Sequence, residues 1–299
     1  MNCVTRRILI PLSFLLILSI TAFSQTYNKD LARESAFSDS ITGAKITRAD
    51  IKPGAGKLKM TLNVPAFTLA LWQNDALIST YPVGVGMKEY PIFIGKRDFS
   101  EIIYNPPWIP PDSDWVKPEM RGKIIKPDDP GNPLGKVKFP LGLGYLLHQA
   151  KGKQDLGSLV SHGCVRVMLN DLYDLTDKYI AAYSLDVLPK SLETAKSTKK
   201  TFVITIPKAT PIEVTYDTAV VRGGELLIFP DIYGYKPNTK SEVLNELRLN
   251  KISTAKINDA ALEKLVKKAK GKTKVVISVK NLKMGKLNLA KTLPVLRPR

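Results

Sequence analysis

The segment HQAKGKQDLGSLVSHGCVRV, residues 148–167, carries the most reactive side chains of this 299-residue chain. It contains both histidines of the sequence, His148 and His162, together with Cys164, one of only two cysteines. The thiolate is the reactive form of a cysteine, and because a free thiol has a pKa of roughly 8.5, an effective nucleophile needs a base nearby. Histidine, with an ordinary pKa of about 6.5, suits that role. The segment therefore indicates nucleophilic thiol chemistry.

The spacing within this segment favours contact between the three side chains. His162 lies two residues before Cys164, and residues i and i+2 of a strand point to the same side. The apolar run GYLLHQA, residues 144–150, predicts a buried strand that brings His148 beside Cys164 if the two strands are neighbours. Gly163 permits a close approach or an unusual backbone angle next to the sulfur. Two alternatives stay open: a metal site, although paired Cys-x-x-Cys spacing is absent, and a buried thiol without a role.

The first 24 residues have the pattern of a secretory signal peptide. MNCVTRRILIPLSFLLILSITAFS combines two arginines, an apolar run and small residues ahead of a cut before Gln25. The apolar run is shorter than the roughly 20 residues of a membrane span, and an uncleaved anchor is the alternative. We therefore expect export to the periplasm or cell envelope, with no stable membrane span after cleavage. Cleavage removes Cys3, so Cys164 becomes the only thiol and has no partner for an internal disulfide.

The charge of the chain bears on its partners. Its 45 Lys and Arg residues outnumber 27 Asp and Glu, giving a formal net charge of +18. An exported protein this basic is expected to meet polyanions such as a cell wall or anionic lipid. The basic residues are scattered and no recognised nucleic-acid-binding motif accompanies them, which argues against a nucleic-acid partner.

The pattern from residue 57 predicts strands. KLKMTLNVP (57–65) alternates apolar and polar positions, and AFTLALW (66–72) and ALISTYPVGVG (76–86) flank Asn74-Asp75 as a hairpin does. The proline-rich YNPPWIPPDSDW (104–115) predicts an ordered loop.

A helix and further strands follow the reactive segment. NDLYDLTDKYIAAY (170–183) predicts a helix with Asn170 as its N-cap, and TFVITIP and TPIEVTY, within 201–216, are predicted strands. We divide the chain into a signal peptide (1–24), a polar lead-in (25–56), a catalytic domain (57–216) with a polar excursion at 184–207, and a small α+β appendage (217–299). The appendage is predicted from the hairpin AVVRGGELLIFP, helices near 241–249 and 258–270, and the strand KVVISVK.

The reactive segment resembles the signature of the L,D-transpeptidase (YkuD-type) catalytic domain. That signature is a histidine, a spacer with a glycine, Ser/Thr-His-Gly-Cys, a hydrophobic residue, and Asn or Arg. Here it is matched by His148, Gly157, Ser161, His162, Gly163, Cys164, Val165 and Arg166. TYPVGVG, YNPPWIPPDSDW, DDPGNPLG and TPIEVTY also resemble family segments. Two departures are Gln149-Ala150, where Gly-Thr or Gly-Ser is common, and YPIFIG in place of a Thr-Pro-x-Gly loop.

The resemblance implies a mainly β, sandwich-like catalytic domain with a short helix after the catalytic cysteine. It also implies acyl transfer on peptidoglycan stem peptides, in which Cys164 attacks the carbonyl of the third residue and expels the terminal D-Ala. An amine of another stem then takes the thioester, giving a 3→3 crosslink. This chemistry needs no metal or organic cofactor.

The same resemblance assigns roles to individual residues. His148 is the general base, and His162 shapes the pocket and assists the thiolate. Ser161 makes local hydrogen bonds, and the backbone around Gly163 contributes to an oxyanion hole. Two further site residues complete the set: Arg166, which contacts a stem carboxylate or fixes a loop, with a structural salt bridge as the alternative, and Trp108, which lines the substrate groove.

Other functions of the same thioester remain open. Water as the acceptor gives an L,D-carboxypeptidase, and a lysine of an envelope protein gives protein anchoring. A third alternative is a non-catalytic wall-binding module that acts through its basic surface. The sequence does not indicate what residues 217–299 do.

Overall fold

The first and larger part of the fold is a nine-stranded sheet with two helices. A computed structural model describes residues 57–296; the expected signal peptide and the lead-in at 25–56 lie outside the described residues. The strands are β1 Leu58–Asn63, β2 Thr68–Gln73, β3 Ala76–Gly86, β4 Gly95–Tyr104, β5 Val137–Pro140, β6 Leu146–Gln149, β7 Leu159–Ser161, β8 Val165–Val167 and β9 Phe202–Thr215. The helices are α1 Leu169–Ala182 and α2 Pro189–Ser197.

Eight of these strands pair in a closed ring. The order is β2-β1-β9-β4-β5-β6-β8-β3, and β3 pairs back with β2, while β7 adds to β3 in parallel. Most neighbours are antiparallel, but β1–β9 and β6–β8 are parallel. Closure of a sheet removes the exposed edges at which strands aggregate. The prediction of a mainly β domain is confirmed.

The first hairpin follows the predicted pattern. Asn74 and Asp75 connect β2 to β3 with φ of 50° and 67°, the left-handed conformation that two-residue hairpin turns favour. The apolar positions of β1, Leu58, Met60 and Leu62, are at most 1% exposed. The alternating apolar and polar residues of β1 therefore alternate between the core and the more exposed face of the strand.

Helix α1 covers the core directly after the reactive segment. Its residues Leu172, Leu175 and Tyr179 are fully buried, as the helical spacing predicts. The prediction of Asn170 as the N-cap is wrong: the N-cap is Met168, without a side-chain hydrogen bond. The chain leaves β8 in an extended conformation and turns into the helix at once, so Asn170 lies within the first turn.

The segment predicted as an excursion is more ordered than its polar composition suggests. Helix α2 starts at Pro189 and buries Leu192 and Ala195 against the main core. Proline suits the first helical position because the amide it lacks has no partner there. The excursion also ends sooner than expected, since β9 starts at Phe202 and unites both predicted strands in one.

The C-terminal part is a second, smaller α+β layer, as predicted. Its elements are β10 Ala219–Arg222, β11 Glu225–Ile228, α3 Lys240–Leu249, α4 Asp259–Lys268, β12 Thr273–Ser278, α5 Val279–Lys283 and β13 Lys291–Pro294. The four strands form an antiparallel sheet in chain order, and the helices cover one of its faces. Val220, Leu227 and Val295 pack on the main core instead, so this sheet lies between its own helices and the larger part.

Within residues 57–296, none of the helices has both the length and the apolar character that crossing a membrane requires.

The buried aromatic cluster under β5 gives a stability prediction. Phe139 is fully buried, with ring centroids 5.4 Å from Phe99 and 6.3 Å from Tyr179. Phe139→Ala should lower the free energy of unfolding by about 3–5 kcal/mol, because it removes buried apolar surface and leaves a cavity. Val203→Ala, at a β9 position that is 46% exposed, is the control and should cost about 1 kcal/mol or less. Urea unfolding measures both, and equal losses would contradict the packing.

Candidate active site

The parallel pairing of β6 with β8 brings the reactive residues together. Leu147 lies opposite Val165, and His148 lies opposite Arg166. Leu147 and Val165 are fully buried in the core, so His148 and Arg166 point to the other face of the sheet. Cys164 precedes Val165 by one residue and shares the face of Arg166. His148 and Cys164 are thus diagonal neighbours on adjacent strands, within reach of long side chains.

The imidazole of His148 is buried and oriented by a backbone carbonyl. Its Nδ1 lies 3.3 Å from the Leu134 oxygen. A carbonyl only accepts hydrogen bonds, so Nδ1 carries the proton and Nε2 is left with the lone pair that a base needs. Burial is the main cause that lowers the pKa of His148 to about 3, and the charge of Arg166 adds to it. At neutral pH the ring is therefore uncharged.

Gln149, which departs from the family pattern, holds the loop that orients His148. Its Oε1 accepts a hydrogen bond from the Lys136 amide at 2.7 Å. Its side chain also fills the space above Gly135, where a Cβ atom would lie 2.4 Å from Oε1 and φ is +70°. Gln149 thereby fixes the loop that carries the Leu134 carbonyl. The orientation of His148 thus relies here on Gln149, in place of the Gly-Thr or Gly-Ser common in the family.

Arg166 ties the same loop to β6. Its Nη1 donates to the Pro133 oxygen at 3.2 Å and, at 3.4 Å, to the Gln149 oxygen. In this structure the guanidinium therefore links the loop at Pro133 to β6. Its positive charge also acts on the two reactive groups: it adds to the burial that lowers the pKa of His148, and it opposes the burial that raises the pKa of Cys164.

Cys164 is a half-buried free thiol. Burial raises the pKa of Cys164, and a hydrogen bond with the Leu146 backbone and the charge of Arg166 oppose this rise. Ser161 Oγ donates to the Cys164 carbonyl oxygen at 2.5 Å, which closes the turn that contains His162 and Gly163. The predicted local hydrogen bond of Ser161 is therefore present.

Gly163 occupies a position where other residues would not fit. Its φ is +102°, and a Cβ atom there would lie 2.9 Å from the ring of Tyr145. Both the backbone angle and the neighbouring ring require glycine. Gly163 thus sets the direction of the chain directly before the sulfur.

His162 lies between two aromatic rings. Trp115 stacks on it, with centroids 4.2 Å apart and planes 14° apart, and Tyr90 lies 4.7 Å away on a tilt of 59°. Trp108 stacks in turn on Trp115 at 6.5 Å. Partial burial, with the charge of Arg166 as the smaller cause, lowers the pKa of His162. Trp108, Trp115 and Tyr90, here called the aromatic ladder, thus hold the imidazole of His162 within a continuous aromatic surface.

Trp115 and Tyr90 were not among the residues singled out from the sequence. Trp115 lies in the same proline-rich stretch as Trp108, and two of the three tryptophans of the chain occur there. That concentration is the signal that could have identified Trp115. Tyr90 is the first residue of the segment YPIFIG, which departs from the family loop, but that departure gives no sign of a contact with His162.

No group of three or more His, Cys, Asp or Glu side chains is arranged to hold a metal ion in the part of the chain from residue 57 to residue 296.

The fold and the site define a class of protein: a mainly β domain with a histidine on one strand and a thiol directly before the neighbouring parallel strand. Residues 59–214, just over half of the chain, match the YkuD family, described as the L,D-transpeptidase catalytic domain. The chain belongs to this family.

Individual relatives are distant. A Haemophilus influenzae protein described as "Putative L,D-transpeptidase" is 24% identical in an alignment of 223 residues, and the match covers 58% of this chain and 44% of that protein. The match therefore spans less than half the length of that relative. Among solved structures, an L,D-transpeptidase from Mycobacterium smegmatis is 12% identical, covers 54% of this chain and 59% of its own, and has a TM-score of 0.34. L,D-transpeptidase 3 from Mycobacterium tuberculosis, in complex with a faropenem-derived adduct, is 14% identical, with coverages of 54% and 60% and a TM-score of 0.34.

The charges of the site predict how thiol reactivity depends on pH. Because burial raises the pKa of Cys164 and lowers that of His148, the resting pair is a neutral thiol beside a neutral imidazole. The rate of alkylation by iodoacetamide should therefore keep rising with pH beyond the inflection of the unfolded chain, near pH 8.5. A Cys3→Ser variant leaves Cys164 as the only thiol, and the same variant in urea is the control. A rate plateau between about pH 5 and pH 8 would instead indicate a preformed thiolate–imidazolium pair.

Proposed function

We propose that this protein is an L,D-transpeptidase that forms 3→3 crosslinks between peptidoglycan stem peptides through a thioester on Cys164. The observation that carries the proposal is the placement of His148 and Cys164 on one face of adjacent strands, with Nδ1 of His148 bound to a carbonyl. With Nδ1 protonated, Nε2 carries the lone pair that this proposal assigns to the base. Membership of the L,D-transpeptidase catalytic-domain family supports the choice of substrate.

The first half of the reaction forms the thioester. The sulfur of Cys164 attacks the carbonyl carbon of the third stem residue while its proton passes to Nε2 of His148. The bond to the terminal D-Ala nitrogen then breaks, and the imidazolium returns the proton to the leaving amine. Proton transfer during the attack is required because the resting thiol is neutral. Backbone amides beside Gly163 are the candidates for stabilising the negative oxygen.

The second half transfers the acyl group to the acceptor. An amine of a second stem attacks the thioester, His148 takes a proton from that amine, and the sulfur leaves and is reprotonated. The product is one new amide bond in place of the one that was broken. Splitting the exchange into two steps lets the terminal D-Ala leave before the acceptor binds, while the donor stem stays on Cys164 as the thioester.

The aromatic ladder and Arg166 serve binding and orientation in this proposal. Trp108 and Trp115 extend from His162 along the loop over the site and offer flat apolar surfaces to the stem peptide. Arg166 acts by fixing the loop of Pro133, since its guanidinium already binds backbone carbonyls. The roles of Ser161 and Gly163 are to shape the turn that presents Cys164.

Export completes the proposal. The signal-peptide pattern of residues 1–24 would place the enzyme in the periplasm or cell envelope, where its substrate lies. The net charge of +18 would favour association with an anionic wall.

The thioester proposal gives a first test on defined substrates. With tetrapeptide stems the wild-type protein should produce 3→3 dimers, and with a carbapenem it should gain the mass of one bound drug; Cys164→Ala should do neither. Mass spectrometry measures both. Ser100→Ala, at an exposed position of β4 outside the proposed machinery, is the control and should retain both products.

Each other result has a definite meaning. Tripeptides alone would make the protein a carboxypeptidase, and conjugates formed only with an added envelope protein would make it an anchoring enzyme. A full carbapenem adduct on Cys164→Ala would overturn the assignment of the nucleophile. An unreactive wild-type protein that still sediments with sacculi would favour the wall-binding module.

The two histidines should differ in their contributions. His148→Ala should slow carbapenem acylation by about 10²–10⁴-fold, the usual contribution of a positioned base. His162→Ala should cause a smaller loss, expressed mainly as a higher KM, because the ring belongs to the aromatic surface and not to the proton path. Stopped-flow acylation kinetics on both variants measure this. A larger loss of kcat in His162→Ala would transfer the role of base to His162.

A further inference from the structure

A tyrosine of the C-terminal part reaches the catalytic domain. Tyr233 lies in the connection between β11 and α3, is 8% exposed, and packs in the main core. Its hydroxyl donates to the Gly86 carbonyl at 3.0 Å and accepts from the Ile92 amide at 3.3 Å. One side-chain oxygen thus joins both ends of the loop Gly86–Ile92.

That loop is in contact with the active site at several points. The Met87 amide donates to the Ser161 carbonyl at 2.8 Å. Gly86 lies so close to the turn before the sulfur that a Cβ atom on it would be 3.0 Å from Gly163 Cα. The ring of Tyr90 lies against His162. Any shift of this loop is therefore transmitted to the turn that presents Cys164.

Tyr233 is itself held firmly. Its amide donates to the Tyr216 hydroxyl at 2.6 Å, the two rings stack at 5.6 Å, and the Tyr216 hydroxyl donates to Asp231 at 2.6 Å. Asp231 also accepts hydrogen bonds from the amides of the three residues after Tyr233, which are Gly234, Tyr235 and Lys236. A chain of hydrogen bonds thus fixes the Tyr233 ring before it meets the loop.

The C-terminal part contacts the reactive segment from a second direction. Lys272 Nζ donates to Ser158 Oγ at 3.2 Å, and a Cβ atom on Gly157 would lie 3.1 Å from Leu296. The segment that leads to Cys164 therefore packs against the C-terminal part both near Gly157 and, through the loop Gly86–Ile92, near Gly163.

We propose that Tyr233 is a positioning residue for acyl transfer, and that the C-terminal part belongs to the active site as the support of the loop Gly86–Ile92. Tyr233 acts through this loop on His162 and Gly163 and does not touch the reacting atoms. This inference rests on the proposed function for its catalytic readout, but its structural readout does not need activity.

The catalytic test uses Tyr233→Phe in the full chain. The substitution keeps the ring but leaves the Gly86 carbonyl and the Ile92 amide without their partner. Carbapenem acylation should slow by about tenfold, the factor expected for loss of a buried hydrogen-bonded pair. Alkylation of Cys164 by iodoacetamide should keep its pH profile, because Leu146 and Leu134 hold the thiol and the base independently. Acylation within twofold of the wild type, or a parallel loss of alkylation and of folded structure by near-UV circular dichroism, overturns the proposal.

The matched control is Tyr235→Phe, two residues further along. Tyr235 belongs to the same ring cluster and is 53% exposed, and within residues 57–296 its hydroxyl makes no hydrogen bond that joins it to the loop. This variant should acylate at the wild-type rate. An equal loss in both variants would contradict a specific role of the Tyr233 hydroxyl.

The structural readout separates this inference from the proposed function. The chain has only two histidines, so their imidazole C–H signals in NMR are readily distinguished with one His162→Ala sample. Tyr233→Phe should shift the His162 signals, whose ring lies between Tyr90 and Trp115, and leave those of His148 in place. Unchanged His162 signals overturn the positioning role even if the enzyme is active. Shifted signals together with an unreactive wild type support it while the proposed function fails.

Discussion

The parallel pairing of β6 with β8 is the contact on which the proposed chemistry depends. The paired segments are only four and three residues long, and such short strands are not stable alone. They are held because the ring of strands is closed and because Leu147 and Val165 anchor them in the core. The same register that buries these two side chains turns His148 and Cys164 to the other face. A slip by one residue would exchange the core and the reactive pair.

The electrostatics of the pair follow from its enclosure. Burial disfavours the charged form of each group, so it raises the pKa of the thiol and lowers that of the imidazole. Arg166 acts on both in one direction, since its charge favours the thiolate and disfavours the imidazolium. The result is a neutral resting pair, which is less prone to oxidation than a free thiolate. In the proposed reaction, the imidazolium and the negative oxygen form only when the sulfur attacks a substrate carbonyl.

The sequence predicted the parts of the fold and site in which residue types repeat or cluster. The hairpin at Asn74-Asp75, the buried strand of His148 and the helices of the C-terminal part all follow from such patterns. The orientation of His148 could not be predicted in this way, because its partner is a backbone carbonyl that every residue possesses. Trp115 reaches His162 from 47 positions earlier in the chain, and no local pattern encodes that contact. The misplaced cap at Asn170 shows the same limit, since a strand that ends at Val167 outweighed a cap preference.

The C-terminal part is joined to the catalytic domain by packing and hydrogen bonds and not by a free linker. Tyr216 is the last residue that the sequence analysis assigns to the catalytic domain, yet its hydroxyl binds Asp231 and the Tyr233 amide, which lie in the next part. The boundary at residue 216 therefore divides the sequence but not the hydrogen-bond network. Tyr233 binds both ends of the loop beside His162. A change in the helices of the C-terminal part that loosens its sheet would therefore move this loop, and with it the turn that presents Cys164. Coupling of this kind requires a rigid path, and the stacked rings of Tyr216 and Tyr233 provide it.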